Sequence, residues 1–301
     1  MNSVAATLLS AVRRYGVVEA ARLAYHHLNP LAKLRAQGVL AAIEGRIGLE
    51  IGGPSAAFAP GGLVPAYAAA ARIDNCNFAR ETVWERGIEE GPTFRFEPRR
   101  APGFQHIAEA TELRFAPDGV YDFVLSSHTI EHTANPLAAL VECRRVLKPG
   151  GLLVLVAPHR DGTFDHRRPV TTMAHLIADF ERGSAEDDPT HLAEVLALHD
   201  LTRDPDAGTR EAFTARTLAF ADNRSLHHHV FDTRLALALV AYAGFAIASA
   251  EAREPCHIIV IARAPQAGAR ADARPFDRPA PAILGKSPFA SDHFAAAPQA
   301  P

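Results

Sequence analysis

The most constraining feature of this sequence is the run Leu152 to Ala157, an unbroken apolar stretch that follows Lys148-Pro149-Gly150-Gly151. A short run with no polar alternation is a strand buried on both faces. Just before it, Asn135-Pro136 opens a helical pattern through Val146, with Pro136 at an early helical position and Glu142 and Arg145 on the outside. Before that helix, Tyr121 to Leu125 reads as another buried strand. Strand, helix and buried strand in this order form a βαβ unit, so the sheet is expected to be mostly parallel with helices on both faces.

The rest of the chain extends this unit. Ile47-Gly48-Leu49-Glu50-Ile51 reads as a strand running into the turn Gly52-Gly53-Pro54. Arg72-Ile73-Asp74 reads as a second strand ending in an acid, and Phe104 to Ala108 as a weaker third. Thr233 to Ala243 is an apolar helix, and Phe245 to Ala250 and His257 to Ala262 are two closing strands that could pair antiparallel. The expected organisation is an N-terminal helical segment over 1–45, a core over 46–158 that resumes at 231–264, a helical insert over 159–230, and a disordered tail over 265–301. Ala, Pro, Gly and charges dominate that tail.

Composition removes several function classes. Lys and Arg total 31 against 34 Asp and Glu, a net charge of -3, which argues against general nucleic-acid affinity. Cys76, Cys143 and Cys256 form no CxxC pair, so disulfide and zinc-ribbon scaffolds are not expected. No apolar run is long enough to span a bilayer, and the N-terminus does not read as a signal peptide. The expectation is a cytoplasmic protein; homo-oligomerisation is left open.

Glu50-x-Gly52-Gly53 after a strand places small residues where a nucleoside must approach the backbone. Asp74, about 20 residues further on, could accept hydrogen bonds from a ribose. These two features fit a nicotinamide-binding domain nearly as well. The segment Ser126-Ser127-His128-Thr129-Ile130-Glu131-His132, followed by Arg145-Val146-Leu147-Lys148-Pro149-Gly150-Gly151, separates the options. It closely resembles the fourth strand and following helix of class I S-adenosylmethionine-dependent methyltransferases, of the type 11 kind associated with glycan assembly. The resemblance covers Arg46 to Pro158 and resumes from Phe231 to Ala264.

The resemblance implies a Rossmann-like α/β fold with a mostly parallel seven-stranded sheet, an N-terminal helical cap and a helical insert after the fifth strand. It implies S-adenosylmethionine as cofactor. Glu50, Gly52 and Gly53 look like the loop under the methionine and ribose, Asp74 with Asn75 like the ribose contact, and Glu109, Ala110 and Thr111 like the adenine loop. Ser126, Ser127 and His128 sit where the fourth strand meets the reacting centre, and Glu131 and His132 look like the holders of the following turn. Pro54 stands where the family usually has another glycine, and removes a backbone donor.

Transfer to an oxygen acceptor calls for a base or a metal. His228, Asp165, His166 and His128 are the catalytic candidates, the first three from a His- and Asp-rich insert. If extended, the run His227-His228-His229 would turn His227 and His229 to one side and His228 to the other. A divalent metal held by some of these residues is the rival to a base, although no standard zinc spacing occurs. The stretch Thr163 to Thr171 resembles a segment of methyltransferases linked to glycan assembly, which makes a saccharide the expected small-molecule acceptor. N- or C-methylation of a small metabolite, and a silent methyltransferase fold serving as a binding module, are the alternatives.

Overall fold

The computed structural model describes residues 38–266 and 283–293. Residues 1–37 of the expected N-terminal helical segment and much of the tail lie outside the described residues, while 38–43 are helical.

Eight strands form one sheet: β1 (Ile47–Ile51), β2 (Arg72–Asn77), β3 (Gly91–Phe94), β4 (Gly103–Ile107), β5 (Tyr121–Ser127), β6 (Leu147–Pro158), β7 (Ala246–Arg253) and β8 (His257–Arg263). Their order is β3-β4-β2-β1-β5-β6-β8-β7. The five central strands are parallel, and β3, β8 and β7 add antiparallel pairs at the two sides. The chain lays strands outward from β1 in both directions, so its topological switch point lies between β1 and β5, where open α/β sheets bind ligands.

The expected seven strands become eight. The added strand, β3, is a short edge strand containing Pro92, paired only with β4 (Gly91↔Gln105, Phe94↔Gly103). Pro cannot donate to a ladder and is tolerated at an edge. Gly91-Pro92 therefore reads as a turn in sequence.

The alternation along β6 explains why its whole run is apolar. Leu153, Leu155 and Ala157 join the core on one side of the sheet, and Leu152, Val154 and Val156 the core on the other. The first side is covered by α1 (Pro136–Val146), through Leu137, Leu140 and Val146, and by α6 (Thr233–Tyr242), through Leu235 and Leu239. The second side is covered by Val39 and Ile43 and by the 58–70 segment, with Phe58 and Tyr67. Caps fix the helices: the Asn135 side chain accepts from Ala138 N, and Asp232 from Leu235 N.

Between β6 and α6 the chain forms α2 (Met173–Arg182), α3 (Leu192–Leu198), α4 (Arg210–Leu218) and α5 (Phe220–Asn223). Thr172 caps α2, and Gly183 closes it in the left-handed region at φ 68°. This insert has its own small core of Val195, Ala207, Phe213, Phe220 and Leu226.

The tail departs from the expectation of disorder. Over 283–293 it packs on the domain: the Asp292 carboxylate accepts from Thr233 N, Thr233 Oγ1 and Ser287 Oγ, and lies beside His159. Ser287 and Asp292 are both buried. The polar composition concealed this, because the partners are distant in sequence. Among the described residues, no helix is long and apolar enough to cross a membrane.

Candidate functional site

A cavity of about 480 Å³ opens at the carboxyl ends of β1, β2, β4 and β5. Its floor is the turn Ile51 to Ala56. Its sides are Cys76, Asn77 and Phe78 after β2, Ala108, Glu109 and Ala110 after β4, and Ser127, His128 and Thr129 after β5. Its mouth is ringed by Thr82, Trp84, Glu85, His132, Thr133, Glu186 and Arg224.

The glycines of the floor are dictated by their neighbours. Gly52 has φ 78°, and a Cβ there would sit 2.6 Å from Thr129 Oγ1; at Gly53 a Cβ would sit 2.3 Å from the Glu50 carboxyl carbon. Glu50 itself is wholly buried below the turn. It accepts from Ser55 N at 3.0 Å and from Tyr67 Oη at 2.7 Å. Burial dominates these contacts and pushes its carboxyl up to about 8. Asn75 is also buried beneath the turn: its Oδ1 accepts from Gly53 N and its Nδ2 donates to Gly53 O and to Gln105 Oε1. Glu50 and Asn75 thus shape the floor from behind, whereas the sequence placed them against the ligand.

Asp74 corrects the expected ribose contact. The strand does not end there, because β2 stays paired with β1 through Ile51↔Cys76, and runs on to Asn77. Asp74 lies opposite Leu49, and its carboxylate accepts from Phe104 N, Tyr121 Oη and Arg72 Nη2. Asn77 occupies the carboxyl end instead and faces the cavity, while its Nδ2 donates to Gly53 O. The continuing run Asn75-Cys76-Asn77 was the missed signal: all three are buried, as in an unfinished central strand.

Glu109 and Ala110 line the cavity; Thr111 does not. Arg224, itself at φ 54°, reaches from the insert to Glu109 at 2.6 Å and to Glu186 at 3.0 Å, with its guanidinium 5.3 Å from the Phe78 ring. Ser127 lines the cavity, whereas Ser126 lies in the sheet between Ile51 and Leu155.

His128 stands on the wall at the end of β5 with φ 52°, a left-handed conformation that a non-glycine residue rarely adopts. Its amide donates to Val156 O, which holds the strained turn. Its Nδ1 lies 3.5 Å from Glu131 Oε1 and its Nε2 2.9 Å from His257 Nδ1. Burial pushes His257 down to about 3, so it faces His128 as a neutral ring. Glu131 is buried too, and despite that desolvation its contacts with His128 and His132 hold its carboxyl below the usual range. His132 Nδ1–H donates to Leu226 O at 3.1 Å, leaving Nε2 without the proton, 4.0 Å from Glu131 Oε1. His132 therefore lines the cavity as well as holding its turn; burial and the nearby His227 push it down to about 4.

The other catalytic candidates fall outside the cavity. Asp165 is buried; it accepts from Arg168 Nη1 at 2.9 Å and pairs with His227 Nδ1. Despite burial, these cations hold its carboxyl well below the usual carboxylate range. Arg168 is fully buried and donates to Glu194 Oε1 and to the carbonyls of His227 and His228. His166 faces Asp200 Oδ2 at 2.9 Å. His228 is buried against Phe220, and desolvation pushes it down to about 3. His227 and His229 do not share a face: His227 joins Glu131 and His132, and His229 joins His175 and His191. The run belongs to no strand or helix, and the shared face expected of His227 and His229 is not seen.

Residues 55–155, about a third of the chain, match the model of a methyltransferase domain. A ubiquinone biosynthesis O-methyltransferase of Cereibacter sphaeroides is 49% identical over 41 residues, covering 14% of this chain and 17% of that protein. One of Maricaulis maris is 39% identical over 51 residues, covering 17% and 20%. The chain thus spans about a fifth or less of the length of these two curated relatives. Among solved structures, an S-adenosylmethionine-dependent methyltransferase of Mesorhizobium loti aligns at 15% identity and a TM-score of 0.44, covering 77% of this chain and 97% of that one. One from Aquifex aeolicus aligns at 14% and 0.39, covering 78% and 89%.

Proposed function

From a chain whose residues 55–155 match a methyltransferase domain, we propose an S-adenosylmethionine-dependent enzyme that methylates a hydroxyl of a small polar acceptor, with a saccharide as the preferred class. The observation that carries this reading is that one cavity joins the glycine turn after β1 to His128 after β5.

The residues present fit the cofactor. The close packing under Gly52 and Gly53 keeps those two positions of the floor free of side chains, Asn77 offers a polar group at the end of β2, and Phe78 and Ala110 offer apolar surface beyond it. The cavity volume falls within the range of small-molecule sites. When bound, the cofactor supplies a methyl group already activated for in-line displacement. The protein's own work is then to orient the acceptor and take its proton.

His128 is the base in this account. Glu131 faces Nδ1 and stabilises the imidazolium formed when Nε2 takes the hydroxyl proton, the acceptor replacing His257 Nδ1 as the partner of Nε2. His132, on the same carboxylate, is a second acceptor of protons in the wall. Trp84 is 60% exposed at the mouth and meets His132 edge-on at 4.9 Å. Its free face suits the C–H side of a sugar ring, and Glu85, Glu186 and Arg224 suit its hydroxyls. The short stretches shared with ubiquinone O-methyltransferases favour oxygen as the methylated atom.

A divalent metal is the second reading. Glu131, His132 and His227 form one group with ligand-type atoms within 4.8 Å of one another, and His128, Cys256 and His257 form another; both reach the cavity wall. This reading predicts that magnesium or manganese restores turnover lost to EDTA. The base reading predicts no response to either ion.

The test is a screen of sugars, nucleotide sugars and phenols with S-adenosylmethionine carrying a labelled methyl. Label on an oxygen of a saccharide supports the proposal. Label on nitrogen or carbon alone contradicts it.

A further inference from the structure

The insert contains a second cluster of histidines that methyl transfer does not use. His175 and Asp179 lie one turn apart on α2 and so face the same way. His191 precedes α3, and His229 lies in the loop before α6. None of the four lines the cavity.

Each of the three histidines brings a ring nitrogen within 4.8 Å of the other two. The rings stand steeply to one another, at 75° for His175 and His191, 63° for His175 and His229, and 74° for His191 and His229. His175 Nε2 lies 2.9 Å from His191 Nε2 and 3.2 Å from Asp179 Oδ2. Asp179 Oδ2 also lies 3.7 Å from His229 Nε2.

Two buried atoms in this cluster have no hydrogen-bond partner. His229 is 1% exposed; its Nε2–H donates to Ala134 O at 3.1 Å, which fixes the tautomer and leaves Nδ1 with a bare lone pair and no partner. A metal-ligating imidazole is set in this way, with one nitrogen tied to a backbone carbonyl and the other offered. Asp179 is 2% exposed. Its Oδ1 accepts from Arg182 Nη2 and Ser184 Oγ, and its Oδ2 makes no hydrogen bond, with only the approaches of His175 and His229 beside it. An unmet acceptor costs free energy when buried, and a cation held among the three imidazoles would lie beside the Asp179 oxygen that His175 and His229 approach.

We propose that His175, His191, His229 and Asp179 form a site for a zinc-type divalent cation that ties α2, the start of α3 and the loop before α6 together. Three imidazoles and one carboxylate match the donor number and type that zinc takes. Magnesium and calcium, which require oxygen ligands, are disfavoured. The site is structural: it sets the loop that also carries His227, next to His132 in the cavity wall.

The test uses the full chain without an affinity tag. After stripping with a chelator, it is titrated with zinc chloride, with metal content read by mass spectrometry, and separately with cobalt chloride, read by visible absorption. The proposal expects one zinc per chain and the visible bands of four-coordinate cobalt. His175→Gln is the main variant, because this side chain is 30% exposed and lies outside the buried cores. It should weaken zinc by at least about 10-fold, the order seen when groups supporting a metal site are removed. His257→Gln, in one of the two clusters at the cavity wall, should bind zinc as the wild type does. The proposal is overturned if the stripped wild type takes up no zinc, leaving a hydrogen-bonded histidine cluster. It is overturned equally if His175→Gln keeps wild-type affinity, or if His257→Gln is the variant that loses the metal.

Discussion

The floor of the cavity and the insert above it solve opposite problems. The floor is made of backbone: Gly52 and Gly53 leave room, Glu50 and Asn75 shape the turn from behind, and Asn77 holds Gly53 from the cavity side. The insert is made of buried polar and charged groups: Arg168, Asp165, His227 and Asp179 are all buried, and Arg168 and His227 both meet Asp165. A ligand that must approach the main chain requires small residues at fixed positions. A helical insert with a core of only a few apolar side chains requires other ties, and here they are ionic.

Substitutions can sharpen this contrast. The largest effect is expected at the junction of the two regions. His128→Ala should lower kcat by about 100- to 10,000-fold, the range for loss of a general base, with little change in cofactor affinity. Equal losses in both would make His128 a binding residue only. Next comes Asp165→Ala, which strands the Arg168 and His227 cations in the insert. It should destabilise the fold by about 3–5 kcal/mol, as removal of one partner of a buried ion pair does. A thermal midpoint equal to that of the wild type would show that the insert does not depend on buried charge.

The floor should respond more mildly. Asn77→Ala should weaken binding of S-adenosylhomocysteine by about 10-fold, through loss of one or two hydrogen bonds. Asp74→Ala should leave affinity unchanged and lower the thermal midpoint. The reverse pattern would restore Asp74 as the ribose contact.

Glu50→Gln should also leave binding unchanged, because burial already keeps Glu50 neutral in the fold at pH 7. Its folded value of about 8 lies above the unfolded 4.5. Between these values the folded chain holds a proton that the unfolded chain releases, so wild-type stability falls as pH rises through that window. Glu50→Gln should lack this decline and gain on the wild type between pH 5 and 8, seen in denaturant midpoints across pH. Parallel curves would mean that Glu50 is ionised in the fold.

The same contrast governs what could be read from sequence. The apolar run over Leu152 to Ala157, the helix from Pro136 and the closing strands were legible because periodicity reports burial directly. β3 was hidden by Gly91-Pro92, and the packed tail by polar residues whose partners, Thr233 and His159, are remote. In the site, Gly52, Gly53, Glu109, Ala110, Ser127 and His128 fall on the cavity wall, since a turn after a strand must lie at a sheet end. Asp74 misled because an acid looked like the end of its strand, when the pairing continues to Asn77. In the insert, composition announced His and Asp but not their partners. Asp165 therefore serves His227 and Arg168, and His166 turns to Asp200.

The central claim, that the cavity at the carboxyl ends of β1, β2 and β5 holds S-adenosylmethionine, is tested most directly by titration calorimetry of the full chain with S-adenosylhomocysteine. The account predicts saturable binding of one equivalent, weakened by Asn77→Ala and untouched by Asp74→Ala. No heat of binding with this ligand, or binding of a nicotinamide dinucleotide in its place, would contradict it.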